Sequence, residues 1–213
     1  MSEKLNLKQI ERKAWRSVFQ DGLWDIYLGL LLLLMGSSLL LDQLPIGEAA
    51  RLGIYLGLMA VCLVGMWLAK TYITIPRTGR AQFGPARQIR RKKVGIILAG
   101  SVLLGVVAWM VASVVQGGFA EGLQWKVIFP VIYVVNTIVV FGLGAYFLDF
   151  ERLYLIGVMY ALPIILKEIG EEVWGIPFGY WAFAIPGLIV VVIGLVLLVR
   201  FIRENPIHAA EGA

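Results

Sequence analysis

The chain has 213 residues, of which 60% are hydrophobic and only 15% charged, and its formal net charge is +5 at pH 7. Because soluble domains carry about 25% charged residues, this composition excludes an ordinary soluble protein and predicts an integral membrane protein. The apolar residues lie in long runs rather than in short alternating segments, which excludes a transmembrane β-barrel and predicts an all-α, polytopic helical bundle.

Residues 1–22 have the pattern of an amphipathic helix. Leu7, Ile10, Ala14 and Val18 recur three or four residues apart, and charged residues occupy much of the remaining sequence. A helix with an apolar stripe and a basic face lies in the headgroup layer of a membrane. We therefore expect residues 1–22 to form a cytoplasmic interfacial helix ahead of the first span.

Two aspartates stand at the start of the first apolar run. Asp21 and Asp25 are four residues apart, so a helix places them on one face. Asp21 is a favourable N-cap, and both acids favour the positive end of the helix dipole. Asp25 lies deeper, beside Trp24, which predicts a salt bridge to a basic residue or, alternatively, contact with a solute, proton or cation.

Six apolar segments predict six transmembrane helices, at about residues 23–41, 52–69, 94–116, 127–148, 153–166 and 180–202. Together they form a transmembrane domain over residues 23–202, followed by a cytoplasmic tail at 203–213. The fifth segment contains Pro163 and covers only about 21 Å of the roughly 30 Å hydrocarbon layer. We keep it as a span because Arg152 and Lys167 at its ends can extend their charges to the two membrane surfaces.

Residues 70–93, called the basic segment below, contain eight Lys or Arg and no acid. Cytoplasmic loops of membrane proteins carry an excess of Lys and Arg. Placing this segment inside leaves only three of the 19 basic residues on the outer side, namely Arg51, Lys126 and Lys167. The distribution predicts a multi-pass protein of the cytoplasmic (plasma) membrane with both termini in the cytoplasm.

The first half of the basic segment predicts a short cytoplasmic β-hairpin between the second and third spans. Residues 72–75 are rich in strand formers, residues 76–79 are typical of a turn, and residues 80–83 can form the returning strand. Gly84 and Pro85 would then end the hairpin.

The second half of the basic segment, residues 87–93, is called the basic run below. Its cations are Arg87, Arg90, Arg91, Lys92 and Lys93, and the third apolar segment follows directly. Cations at the cytoplasmic end of a span predict contact with anionic lipid headgroups or, alternatively, with a cytoplasmic protein partner. Because the run is continuous with a span, we do not expect nucleic acid as a partner.

Asn136, with Thr137 beside it, lies near the middle of the fourth span. An amide without a partner in lipid costs several kcal/mol, so Asn136 must face protein or water. The structural interpretation is an interhelical hydrogen bond. The functional alternative is a solute or ion contact together with Asp25, as expected for a small transporter or channel.

Small residues recur on two of the predicted spans. Gly53, Gly57 and Gly65 are separated by multiples of four on the second span, and Ser101 and Gly105 lie on the third. Such stripes allow helix backbones to approach closely in lipid. They predict close packing either within one chain or between two chains, so the oligomeric state stays open.

The chain also carries a weak internal similarity. At a spacing of 128 residues, Phe19, Asp21 and Gly29 match Phe147, Asp149 and Gly157. At a spacing of 130, Gly57, Lys70 and Pro76 match Gly187, Arg200 and Pro206. A parallel repeat of the first and last hairpins and a chance match in a biased composition both account for it. Within the matching region, a tight cytoplasmic turn is expected in which Asp149, Glu151 and Arg152 pair locally.

Patterns for catalysis and for cofactors are missing from the sequence. His208 is the only histidine and Cys62 the only cysteine, whereas a zinc site needs several such ligands. A Ser-His pair inside the membrane cannot be formed, and no Gly-rich phosphate loop is present. We therefore expect a non-catalytic membrane protein without a cofactor, whose basic loop engages anionic lipid or a protein partner. A small transporter or channel is the alternative.

Overall fold

The computed structural model describes residue 15 and residues 19–79, 84–115, 124–173, 175 and 178–206. Every regular element in these ranges is a helix, in agreement with the all-α prediction. In chain order the elements are α1 (Leu23–Leu41), α2 (Glu48–Ala69), a π-helical turn (Lys70–Thr74), α3 (Ile75–Thr78), α4 (Pro85–Val115), α5 (Gln124–Leu148), α6 (Arg152–Val173) and α7 (Gly179–Glu204).

The helices fall into two compact units. The first unit comprises Met1–Phe83 together with Gly179–Ala213, and the second comprises Gly84–Phe178. The first unit therefore joins α1, α2 and α3 to α7, while the second contains α4, α5 and α6.

In the first unit, α1 and α7 pack against each other along their length through glycines. A Cβ placed on Gly29 would lie 2.7 Å from the Val191 side chain, and one on Gly36 would lie 2.7 Å from Cβ of Phe183. A Cβ on Gly194 would lie 2.6 Å from the backbone nitrogen of Ile26. Real Cβ atoms essentially never approach other atoms this closely, so only glycine fits. As the residue number increases along α1, the number of the contacted residue on α7 decreases, so the two helices are antiparallel.

In the second unit, α5 and α6 pack around one glycine and two aromatic rings. A Cβ on Gly157 would lie 2.6 Å from Cβ of Phe141, and the rings of Phe141 and Tyr160 have centroids 4.8 Å apart. Pro163 is buried within α6, which remains helical through it. The hydroxyl of Tyr133 on α5 donates a 3.3 Å hydrogen bond to the carbonyl of Tyr160, which adds a polar tie beside the proline.

Four of the helical stretches in the described ranges are long and apolar enough to cross a membrane. They are Leu23–Leu41, Glu48–Thr78, Pro130–Leu148 and Gly179–Glu204, and they coincide with the first, second, fourth and sixth predicted segments. The fifth predicted segment, residues 153–166, is shorter than the helix that contains it, Arg152–Val173. Helix α6 has 22 residues, about 33 Å at 1.5 Å per residue, because it continues beyond Lys167 into the polar residues that the apolar count excluded.

The predicted β-hairpin is wrong over the residues that are described. Residues 72–74 belong to the π-helical turn and Ile75–Thr78 form α3, while residues 80–83 lie outside the described part. The physical reason is that helical spacing places Lys70 and Thr74 on the same carboxylate, that of Asp21. The two hydrogen bonds to Asp21 outweigh the strand propensity of the sequence.

Two other predictions concern the chain ends and the small-residue stripes. Of residues 1–22, only Trp15 and residues 19–22 are described, so the interfacial helix lies outside the described residues, as do positions 207–213 of the tail. Trp15 and Phe19 are buried with their rings in edge contact at 6.0 Å. A Cβ on Gly53, Gly57, Gly65 or Gly105 would meet no described atom within 4 Å. The close-packed glycines are thus those of α1, α6 and α7.

Candidate functional site

The basic run occupies the first turns of α4. Four of its cations are exposed, namely Arg90, Arg91, Lys92 and Lys93. The same helix continues without a break into exposed apolar residues. Ile96 and Val102, for example, expose 71% and 67% of their surface. The run is therefore a cluster of cations at the end of a helix whose following residues are apolar on the outside.

Two arginines of the basic run bind one carboxylate. Nη1 of Arg87 donates a 2.6 Å hydrogen bond to Oδ2 of Asp149, and Nη1 of Arg90 lies 3.4 Å from the same oxygen. The side chains of Arg87 and Asp149 are 11% and 14% exposed, whereas that of Arg90 is 48% exposed. Arg87 is thus held in a nearly buried, charge-assisted hydrogen bond, while Arg90 stands at the edge of the pair.

Lys93 continues the contact surface by one more turn. Its Nζ lies 5.5 Å from the ring centroid of Phe147 on α5, within the range of a cation–π interaction. Arg87, Arg90 and Lys93 are three residues apart and share a helix face. Arg91 lies one turn beyond Arg87, and Lys92 lies on the opposite side of the helix from Arg90. Both are exposed and form no ion pair or hydrogen bond with any described residue.

The five predicted lipid-contacting cations are therefore not equivalent. Arg87 is engaged by Asp149 and Lys93 by Phe147, Arg90 is shared between Asp149 and the outside, and Arg91 and Lys92 face outwards. Besides the local pairing expected from the sequence, Asp149 accepts hydrogen bonds from Arg87 and Arg90, which lie 62 and 59 residues away along the chain. The sequence carries no local signal for such a distant pair.

A second buried carboxylate holds the other end of the basic segment. Asp21 is fully buried and its Oδ2 accepts hydrogen bonds from Nζ of Lys70 at 2.5 Å and from Oγ1 of Thr74 at 2.8 Å. Its Oδ1 accepts from the backbone N–H of Leu23 at 3.2 Å. The prediction that Asp21 is the N-cap is wrong by one residue, because Gly22, with φ of 74°, occupies that position. Asp25, one turn further along α1, is also buried.

Asn136 takes part in an interhelical hydrogen bond. Its Nδ2 donates to Oγ of Ser101 on α4 at 2.8 Å, and Thr137 beside it is buried. This bond is the structural interpretation that the sequence offered for Asn136. Asp25 belongs to the first unit, whereas Asn136 and Thr137 belong to the second.

The internal similarity corresponds to similar local structures. Asp21 and Asp149 each precede a helix and accept hydrogen bonds from a cation of the basic segment. Eight residues later, Gly29 and Gly157 each lie against a neighbouring helix, where an added Cβ would be 2.7 Å and 2.6 Å from the nearest side-chain atom. The spacing of the match, rather than any single residue, was the available signal for the Asp149 site.

The described residues contain no group of three or more His, Cys, Asp or Glu side chains placed to hold a metal ion. The candidate site therefore consists of the basic run with Asp149 and Phe147. Comparisons of the chain with protein-family models, with curated proteins and with solved structures found no match.

Proposed function

We propose that the chain is a non-catalytic, six-span protein of the cytoplasmic membrane whose basic run binds anionic lipid headgroups at the cytoplasmic surface. The observation that carries the proposal is the position of Arg91 and Lys92. Both are exposed cations on a helix that turns apolar and stays exposed within one further turn. Basic residues immediately next to a span attract the phosphates of anionic lipids.

The distance along α4 favours lipid over the alternative of a protein partner. From Lys92 to Ile96 the helix rises about 6 Å, so cations and apolar side chains are one headgroup layer apart. When Ile96 lies at the hydrocarbon boundary, Arg91 and Lys92 lie among the phosphates. A soluble partner would need no exposed apolar surface at this distance.

Six spans are supported by helix length. The part of α4 that follows the basic run, residues 94–115, is helical and measures about 33 Å, similar to α6 and close to the roughly 30 Å hydrocarbon thickness. With the basic run inside, the positive-inside rule places both termini in the cytoplasm.

The proposal is tested by lipid binding to the purified full-length protein in detergent. We expect more retention of labelled phosphatidylglycerol than of phosphatidylcholine, with a preference that falls as sodium chloride is raised, because salt screens exposed charges. Changing Arg91 and Lys92 to Gln should weaken phosphatidylglycerol binding by ~2 kcal/mol, about thirtyfold.

The matched control removes the same charge elsewhere at the basic ends of the helices. Arg200→Gln with Arg203→Gln changes two exposed arginines at the end of α7, so an equal loss would show that the effect comes from net charge rather than from the basic run. Equal retention of the two lipids by the unchanged protein, at low and at high salt, would refute the lipid function. If changing Arg91 and Lys92 weakens binding of a soluble protein but leaves phosphatidylglycerol binding unchanged, the protein-partner alternative is favoured.

Transport through a mid-membrane site has less support from the geometry. The amide of Asn136 is already bonded to Ser101, and α6 is helical through Pro163 rather than unwound. Both arrangements are typical of helix packing, so we place transport second.

A further inference from the structure

We propose that Asp149 regulates the lipid-binding surface as an internal competitor, because its carboxylate occupies arginine donors that a lipid phosphate would otherwise take. Carboxylate and phosphate oxygens bind arginine in the same way, through charge-assisted N–H donation. The inference rests on the proposed lipid function and adds to it the residue that sets its strength.

The two arginine contacts of Asp149 differ in their strength. Arg87 approaches Oδ2 at 2.6 Å and is nearly buried, whereas Arg90 approaches the same oxygen at only 3.4 Å and is half exposed. A 3.4 Å contact is beyond the usual range for a strong N–H···O bond. Arg90 is therefore the exchangeable member, which can turn from Asp149 to an outside phosphate without disturbing Arg87.

The carboxylate is carried on a fixed turn. Asp149 has φ of 53° and is the only described non-glycine residue with positive φ, a conformation that Asp and Asn adopt more readily than other residues. The next residue, Phe150, is buried, and its N–H donates to the carbonyl of Ala145 at 3.1 Å. The turn between α5 and α6 thus presents Asp149 to α4 in one position.

The number of cations available to lipid therefore depends on whether Arg90 contacts Asp149. With Arg90 on Asp149, two cations of the basic run, Arg91 and Lys92, are available to lipid. When Arg90 leaves Asp149, three are available. Anionic lipid and Asp149 therefore compete for Arg90, and the charge of Asp149 sets how much anionic lipid is needed.

The test is the change Asp149→Asn in the full-length protein. Asparagine keeps the side-chain shape and the tolerance of positive φ but loses the charge. We expect phosphatidylglycerol to bind about threefold to tenfold more tightly at low salt, with phosphatidylcholine unchanged. Adding Arg90→Gln should remove most of this gain, because Arg90 is the side chain that is released.

A matched variant separates this effect from net charge. Glu204→Gln also adds one positive charge and also releases an arginine, since Nε of Arg200 lies 2.7 Å from Glu204 at the exposed end of α7. We expect little change in lipid binding from it. An equal gain in Glu204→Gln, or a gain that survives Arg90→Gln, would overturn the role of Asp149.

A second comparison avoids the buried pair, should Asp149→Asn fail to fold. In the otherwise unchanged protein, Arg90→Gln should weaken phosphatidylglycerol binding less than Arg91→Gln does, because Asp149 already holds Arg90. Equal losses would contradict the inference. If the unchanged protein itself shows no preference for phosphatidylglycerol, the proposed function fails. If it shows the preference but Asp149→Asn folds and binds as before, only the role of Asp149 fails.

Discussion

Single glycines decide how closely α1 and α7 approach. Gly22, the N-cap of α1, is followed at intervals of seven residues by Gly29 and Gly36 within the helix, and Gly187 and Gly194 have the same spacing on α7. Without side chains, the two backbones approach closely enough for many weak contacts to add up. The glycine stripe on the second span has spacings of four and eight residues but meets no described neighbour within 4 Å, so spacing by itself did not identify the packed face.

Replacing one of these glycines by alanine should destabilise the protein. A Cβ at Gly29 would lie 2.8 Å from the backbone nitrogen of Val191 and 2.9 Å from the carbonyl oxygen of Gly187. Backbone cannot turn away as a side chain can, so Gly29→Ala should cost about 1–3 kcal/mol. Gly57→Ala is the control, because it meets no described atom within 4 Å, and should be neutral. Thermal unfolding in detergent, followed by tryptophan fluorescence, measures both, and equal melting temperatures would contradict the prediction.

At the residue scale, the sequence could identify the cations of the basic run. It could not show which of them contact Asp149 or Phe147 and which face outwards. Five cations in seven residues predict a basic surface whichever helix face each one takes. Which of them is neutralised depends on Asp149, more than 50 residues away, and on the left-handed turn that carries it. Neither the pairing nor the turn leaves a local pattern.

Among the elements, the π-helical turn at Lys70–Thr74 shows a local structure determined by one buried acid. Lys70 and Thr74 both donate to Asp21, which is fully buried, while the Lys70 side chain is 21% exposed. Continuing the helix as a π-turn brings both donors to one side, and such turns are uncommon without a specific contact. Tyr72, at the outside of the turn, stays exposed.

Asp21→Ala should therefore cost far more than loss of a surface pair. Removing one member of a buried ion pair typically costs about 3–5 kcal/mol, and the partial exposure of Lys70 places the expected loss near the lower end of that range. The control is Asp42→Ala, since Asp42 contacts Arg51 at 3.4 Å with side chains 65% and 31% exposed, and such pairs contribute about 0–1 kcal/mol.

The same unfolding measurement distinguishes charge from packing at this site. Adding Lys70→Met to Asp21→Ala should recover part of the loss, because the unmatched ammonium is gone. Equal destabilisation by Asp21→Ala and Asp42→Ala would show that the buried pair does not hold the turn.

Helices were predictable where apolar length alone determines them. The first apolar segment and α1 share the same bounds, residues 23–41, and the fourth and sixth segments agree to within a few residues. The prediction failed where polar residues continue a helix, as in α6 beyond Lys167. It also failed where strand propensity competed with a distant contact, as at residues 72–75.

For the whole molecule, the proposed orientation has a direct test in intact cells. In a variant with Cys62 replaced by Ala, a single cysteine at Gly84 should not react with a membrane-impermeant maleimide, because the proposed orientation places the basic segment in the cytoplasm. A cysteine at Gln43 should react, since it lies in the exposed connection between α1 and α2. Both should react after lysis. Labelling at position 84 but not at 43 in intact cells would invert the topology and, with it, the proposed contact with cytoplasmic lipid.

The glycine seam between α1 and α7 also bears on how the protein is made. Translation delivers α7 about 150 residues after α1, so α1 is made long before its tightly fitting neighbour exists. Until then its glycines lack the helix on which they pack, and the first unit cannot close. The first unit is therefore completed only once α7 has been made, however early α1 forms.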